Sequence, residues 1–200
     1  MIPKNAHVNF SDPSRQSYYT LVQRLLHWLI ALVVLVLLVA GMVIGNFGYE
    51  GLVEQFGGDV TNLLYKYHKT AGVLLLALML IRLALRLILG APAYTRPLQP
   101  WQAVASQISH WGFYLLLIAM PVVGWLATAA GGYPVEYFDW TLPGLIGKDP
   151  ELSKSLFDLH GAIGWALVVL ILVHVTAALT HWLVWRDGVM QRMSLFTPRA

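Results

Sequence analysis

The 200-residue chain contains no cysteine and little charge, with Asp, Glu, Lys and Arg making up only 12% of it. The missing thiols exclude disulfides, iron–sulfur clusters, thiolate zinc sites and the C-x-x-C-H attachment of c-type haem. Any metal or cofactor must therefore be held by His, Met, carboxylate or carbonyl groups. The low charge argues against an ordinary soluble domain, in which ~25% of residues are charged. The apolar run that begins near Leu21 is too long for the core of a cleaved signal peptide, and no convincing A-x-A site follows it. It reads as a first membrane helix that is retained.

What is abundant is apolar residue, at 58% of the chain. Crossing ~30 Å of hydrocarbon takes ~20 apolar residues, and four stretches qualify, at about 21–44, 62–89, 104–127 and 158–184. The expected fold is all-α: a single integral membrane four-helix bundle spanning 1–200. The loop from about 128 to 157 is the longest, rich in Gly, Pro and aromatics, and suited to cap one mouth of the bundle.

Charge sets the expected orientation. Lys4, Arg15, Arg24, Arg82, Arg86, Arg96, Arg186, Arg192 and Arg199 fall on one side, against only Asp12 and Asp187. The other side carries Lys66, Lys69, Lys148 and Lys154 against Glu50, Glu54, Asp59, Glu136, Asp139, Asp149, Glu151 and Asp158. Basic residues mark the cytoplasmic face, so both termini are expected inside. Trp101, Trp140, Trp182 and Trp185 fall near span ends, as an interfacial belt requires.

Seven histidines are present, and all but His7 lie within or at the end of a span. Ionisable residues in a membrane helix are costly and default to a functional reading, although a single one is often only an interhelical hydrogen-bonding residue. His160 and His174 are 14 residues apart, ~40° short of four turns and ~21 Å of rise. They share one helix face, one near each membrane surface. Matching depth across helices pairs His68 with His160 near the outer surface and His27 with His174 near the inner one. Two neutral imidazoles on facing helices can ligate one haem iron from both sides, an arrangement suited to electron transfer. One turn after each proposed ligand stands a small residue (Ala31, Gly72, Gly164, Ala178), whereas His110 and His181 are followed by Tyr114 and Trp185. His181, seven residues beyond His174, remains the competing ligand for the inner site.

At these residues the chain resembles the bacterial cytochrome b561 family. The matching stretches are R-L-L-H-W (24–28), Y-H-K-T-A-G (67–72), the arginine pair of I-R-L-A-L-R-L (81–87), S-H-W-G-F-Y-L-L-L-I-A-M-P-V-V-G (109–124), D-L-H-G-A-I-G (158–164) and H-V-T-A-A-L-T-H-W (174–182). The tail R-D-G-V-M-Q-R-M (186–193) is also similar to the family's ending. The resemblance implies four helices in the bacterial inner membrane and two non-covalent b haems, with axial pairs His27/His174 and His68/His160. It also implies electron exchange with membrane quinone, ubiquinone in the type that takes electrons from superoxide. The wider superfamily supplies cytochrome b anchors of larger dehydrogenases and hydrogenases.

Other polar residues have candidate roles beside these sites. Arg24 and Arg82 share faces with His27 and His68, and Arg86 lies one turn beyond Arg82. A guanidinium matches a haem propionate or a quinone oxygen, or snorkels to the inner surface. His181 is the candidate for the quinone pocket, where an imidazole can relay protons near neutral pH, and His110 is a second. Lys66 and Lys69 flank His68, placed to attract an anionic donor, to meet haem propionates or to anchor the interface, on an outer side that is acidic as a whole. Pro121 is expected to bend the third span. The expected partners are lipid, quinone and a small-molecule or protein electron donor, and not nucleic acid. Two other functions fit the same chain: an anchor subunit of a larger dehydrogenase, and a haem-free transporter or channel using the histidines as a relay.

Overall fold

A computed structural model describes residues 18–94 and 96–196. His7, Lys4, Arg15, Asp12 and Arg199 lie outside the described residues. Three helices are long and apolar enough to cross a membrane: α1 (Leu21–Leu89), α2 (Pro100–Ala130) and α3 (Pro150–Thr180), the last continued by a π-helical turn, His181–Trp185.

Helix α1 opens on a capping box. The Thr20 hydroxyl accepts from the Gln23 N–H at 3.3 Å, and the Gln23 side chain accepts from the Thr20 N–H at 3.2 Å. Laid straight, its 69 residues would extend ~100 Å. It does not run straight, because Gly48 (φ 65°) and Gly57 (φ 79°) leave helical geometry. Both sit at positive φ, which glycine adopts without the Cβ clash that other residues meet. Between them Leu52 is fully buried. The far limb returns beside the near one: Arg82 Nη1 donates to the Gln23 carbonyl at 3.1 Å, and Gln23 Nε2 to the Gly90 carbonyl at 3.5 Å. The stretch 45–61, expected as an extramembrane loop, is thus helical with two glycine breaks.

Both limbs of α1 pack with α2 and α3 around one core of Ile30, Val34, Leu75, Met79, Leu117, Ile163 and Leu167. The outward faces stay apolar and exposed, with Leu115 at 69% and Trp165 at 65%. Water would penalise such a surface, whereas lipid does not. Pro121 lies inside α2 without ending it.

The fold is mostly helical, as expected, with one small sheet beside the helices. Within the loop between α2 and α3, β1 (Val135–Tyr137) and β2 (Trp140–Leu142) form an antiparallel hairpin with Val135 opposite Leu142. Its turn holds Phe138 at φ 55°. The hairpin is held by its contacts to α1: Thr70 Oγ1 accepts from the Phe138 N–H at 3.1 Å, and Lys69 Nζ donates to the Pro134 carbonyl at 3.0 Å. The expected cap therefore exists, as a small sheet seated on the turn that carries His68. At the opposite end the C-terminal segment folds under the bundle. Tyr19 N–H donates to the Arg192 carbonyl at 3.2 Å, Trp28 Nε1 to that of Met193 at 2.9 Å, and Arg24 Nη1 to that of Ser194 at 2.7 Å. Arg192 is buried, donates to the Pro92 carbonyl and lies 3.9 Å from the Tyr94 ring centre, a cation–π contact.

Backbone conformation at the first limb's turn gives a direct test. Gly57→Ala forces a Cβ into positive φ and should cost about 1–2 kcal/mol. Gly58→Ala, at a helical position with open space around it, should be neutral or stabilising by up to about 1 kcal/mol. Thermal unfolding of the two variants in detergent, followed by circular dichroism, should give midpoints on opposite sides of, or at least well separated about, the wild type.

Candidate cofactor site: two stacked histidine pairs

Four histidines from three helical segments converge in two pairs. His68, on the far limb of α1, faces His160 on α3 with ring centres 6.3 Å apart; His27, on the near limb, faces His174 on α3 at 6.4 Å. A metal bound between two imidazoles through ~2.0 Å bonds separates their ring centres by about 6 Å. Both pairs have the spacing of axial ligands.

The surroundings of the first pair fit a large planar group. A cavity of about 700 Å³ is lined by His68, His160, Gly41, Gly72, Gly161 and Gly164 together with aliphatic side chains. That volume lies within the range of cofactor pockets, ~300–1,000 Å³. His160 Nδ1 lies 3.1 Å from the Met120 carbonyl. A carbonyl only accepts, so Nδ1 carries the proton and Nε2 is left with the lone pair a metal needs. His68 Nδ1 is buried without a hydrogen-bond partner, leaving a ring nitrogen for a bound group to satisfy. Among the described residues no three His, Asp or Glu side chains cluster to hold a bare metal ion. Such an ion takes about four protein ligands, whereas haem brings its own four nitrogens and needs two axial ones. The donor set fits haem.

Gly124 emerges as a determinant that the sequence reading did not single out. A Cβ there would stand 2.9 Å from His160 Cε1 and 3.1 Å from Nδ1. The ring occupies the space that only glycine leaves. The sequence signal was a glycine inside an apolar helix, three residues after Pro121, which alone does not say which side chain fills the gap.

The second pair is more crowded and more polar. His174 lies 5.9 Å from His110 and 5.2 Å from Phe113, centre to centre. A small cavity of about 30 Å³ beside it is lined by Tyr19, Gln23, Arg82, Arg86, His110, Tyr114 and Met193. Arg82 and Arg86 are placed here as their spacing suggested, and they donate to neutral acceptors: Arg82 to the Gln23 carbonyl and Arg86 Nη1 to the Tyr19 hydroxyl at 3.3 Å. Arg24 instead ties down the C-terminal segment, with its Nε buried and unpartnered. His110 contacts the Ser106 hydroxyl at 3.2 Å. His181 does not face His27. Its Nδ1 meets Asp187 Oδ2 at 2.5 Å, and its ring packs on Trp185 at 4.6 Å. Asp187 reaches it across the π-helical turn, a contact that helical i, i+4 spacing does not suggest.

Lys66 and Lys69, which flank His68, are both engaged by the hairpin. Lys66 Nζ pairs with Asp139 Oδ1 at 2.8 Å, and Lys69 Nζ with Glu136. The hydrogen bond from Lys66 holds the Asp139 carboxyl below the usual carboxylate range, so this pair stays ionised at neutral pH.

Residues 18–194 match the family model described as prokaryotic cytochrome b561. The chain is 27% identical over 177 residues to cytochrome b561 homolog 2 of Escherichia coli (strain K12), covering 88% of this chain and 90% of the relative. It is 25% identical to cytochrome b561 homolog 1 of the same organism, covering 88% and 96%. It is also 27% identical over 126 residues to the probable superoxide oxidase CybB of Yersinia pestis, covering 63% and 72%.

The Gly124–His160 contact makes a local prediction. Gly124→Ala should displace the His160 ring at a cost of about 1–3 kcal/mol and weaken haem retention at that pair roughly 5- to 150-fold. Gly112→Ala, where the added methyl meets Leu170 only at 3.5 Å, should leave haem content unchanged. Haem quantitation on the two purified variants reads the difference.

Proposed function

We propose the following for this chain, which belongs to the prokaryotic cytochrome b561 family: it is a di-haem b membrane oxidoreductase that passes electrons between a donor outside the inner membrane and membrane quinone. Its helices cross the bilayer four times, α1 twice, with both termini cytoplasmic and the hairpin outside. The observation that carries the reading is the pair of imidazole pairs, 6.3 and 6.4 Å between ring centres, offset along α3 by the ~21 Å that 14 helical residues rise. His68 and His160 would hold the outer haem, and His27 and His174 the inner one. When bound, each haem supplies a one-electron iron couple.

The chain's own residues do the rest. His160, oriented by the Met120 carbonyl, presents Nε2 to the outer cavity, and the glycines around that cavity admit a flat ring. At the inner end Arg82 and Arg86 bring positive charge to a site where, among the described residues, they donate to neutral acceptors, which suits an inner haem propionate or a quinone oxygen. Quinone reduction to quinol takes two electrons and two protons. Asp187 holds the His181 Nδ1 proton, so Nε2 is free to pass protons to a quinone carbonyl oxygen and to be recharged from the cytoplasmic side. Ubiquinone is the acceptor implied by the family resemblance. Superoxide as donor is suggested by the name of the Yersinia relative.

A rapid-mixing experiment on purified protein tests the arrangement. Decylubiquinol should reduce haem in wild type and in His68→Ala, because the inner pair is intact, but not in His174→Ala. His181→Ala should keep its haem and slow the quinone step about 10²-fold or more, the usual size of a general acid–base contribution. Equal behaviour of His68→Ala and His174→Ala towards quinol would contradict the assignment of the quinone end.

A further inference from the structure

Four lysines and eight carboxylates lie in 45–70 and 131–158, the segments at the hairpin end of the bundle. Two of these lysines flank His68, where unpaired ammonium groups would form a positive mouth over the outer pair. They are not unpaired. Lys66 meets Asp139 at 2.8 Å, and Lys69 meets Glu136 while also donating to the Pro134 carbonyl at 3.0 Å. The Lys69–Glu136 pair is sheltered, with the two side chains only 20% and 29% exposed, so its geometry is held by packing. The hairpin's backbone reinforces it: Thr70 Oγ1 accepts from the Phe138 N–H at 3.1 Å.

An ion pair is a dipole at a distance, and its field falls away faster than that of a lone charge. With both lysines compensated, the field at this mouth is set by the surplus carboxylates. Such fields change encounter rates of charged reactants by ~10–10³-fold, with a sign given by the charge product. We propose that Glu136 and Asp139 are specificity determinants that disfavour small anionic donors at this mouth and favour neutral or cationic ones. The inference rests on the electron-transfer reading above and sharpens its donor class. Two superoxide ions, two protons and one quinone balance to two dioxygen molecules and one quinol, so superoxide is a chemically competent donor. The charge at the mouth disfavours its approach.

The absence of cysteine permits a test that needs no haem. Phe138→Cys puts a single thiol at the tip of the hairpin, at a residue 54% exposed. Its reaction with a cationic and an anionic methanethiosulfonate is compared with that of free cysteine. The proposal expects the ratio to favour the cationic reagent several-fold at low salt. Adding Glu136→Gln and Asp139→Asn should shift it several-fold towards the anion, and both effects should fade in ~0.5 M salt as the Debye length shortens. Asp139→Asn alone, at a side chain 90% exposed, should shift it in the same direction and leaves the fold intact. On the haem-loaded protein without the added cysteine, the same substitutions should speed reduction by superoxide and slow it by hexaammineruthenium(II). A ratio that favours the anionic reagent in the parent, or that ignores both carboxylates, overturns the proposal. Failure of the thiol test contradicts the specificity inference alone, whereas haem that superoxide and hexaammineruthenium(II) both fail to reduce contradicts the proposed function.

Discussion

The bundle is organised by the need to bury imidazoles in pairs. A histidine inside a membrane helix has two ring nitrogens that hydrocarbon cannot satisfy, and each unmet one costs free energy. In this chain His160 meets the cost at Nδ1 through the Met120 carbonyl, while the 6.3 Å gap to His68 leaves room for a metal between the rings. Keeping that gap open dictates much around it. Gly124 makes room for the His160 ring. Gly41, Gly72, Gly161 and Gly164 line the cavity where larger side chains would fill it. The apolar core of Ile30, Val34, Leu75, Met79, Leu117, Ile163 and Leu167 joins all the helices and so fixes the distance across the bundle.

The two ends of the molecule treat charge in opposite ways. At the hairpin end, Lys66 and Lys69 are met by carboxylates of the hairpin. At the other end, Arg24, Arg82, Arg86 and Arg192 donate to carbonyls and a tyrosine hydroxyl. Among the described residues these guanidinium groups donate to neutral acceptors, which leaves this end receptive to an anionic or electron-rich group. His181, held by Asp187, lies in the same terminal region. Under the proposed function, the compensated end would serve a donor that does not rely on attraction by lysines, and the other end would serve propionates and quinone oxygens.

Much of this was legible in the sequence because hydrocarbon imposes strong rules. Long apolar runs mark the helices, and the 14-residue spacing on α3 with matched depth marks the two facing histidine pairs. Features that depend on tertiary contact were not legible. The hairpin's strands are three residues each, its turn places Phe138 rather than glycine at positive φ, and it is stabilised by Lys69 and Thr70, some 66 residues away in sequence. The helical course of 45–61 was hidden because glycines that usually end helices here only break one. Arg24 shared a face with His27, yet the folded C-terminal segment claims its guanidinium, and nothing local announces that segment's return. The Asp187 contact depends on a π-helical turn that shifts the expected spacing.

The central claim is that each facing histidine pair binds one haem. The most direct measurement is haem per chain in detergent-purified wild type, by reduced-minus-oxidised and pyridine haemochromogen spectra, with electron paramagnetic resonance to read the axial ligation. The account predicts two low-spin b haems per chain with bis-imidazole signatures. A well-folded chain that binds none, or high-spin haem with an open axial position, would contradict it.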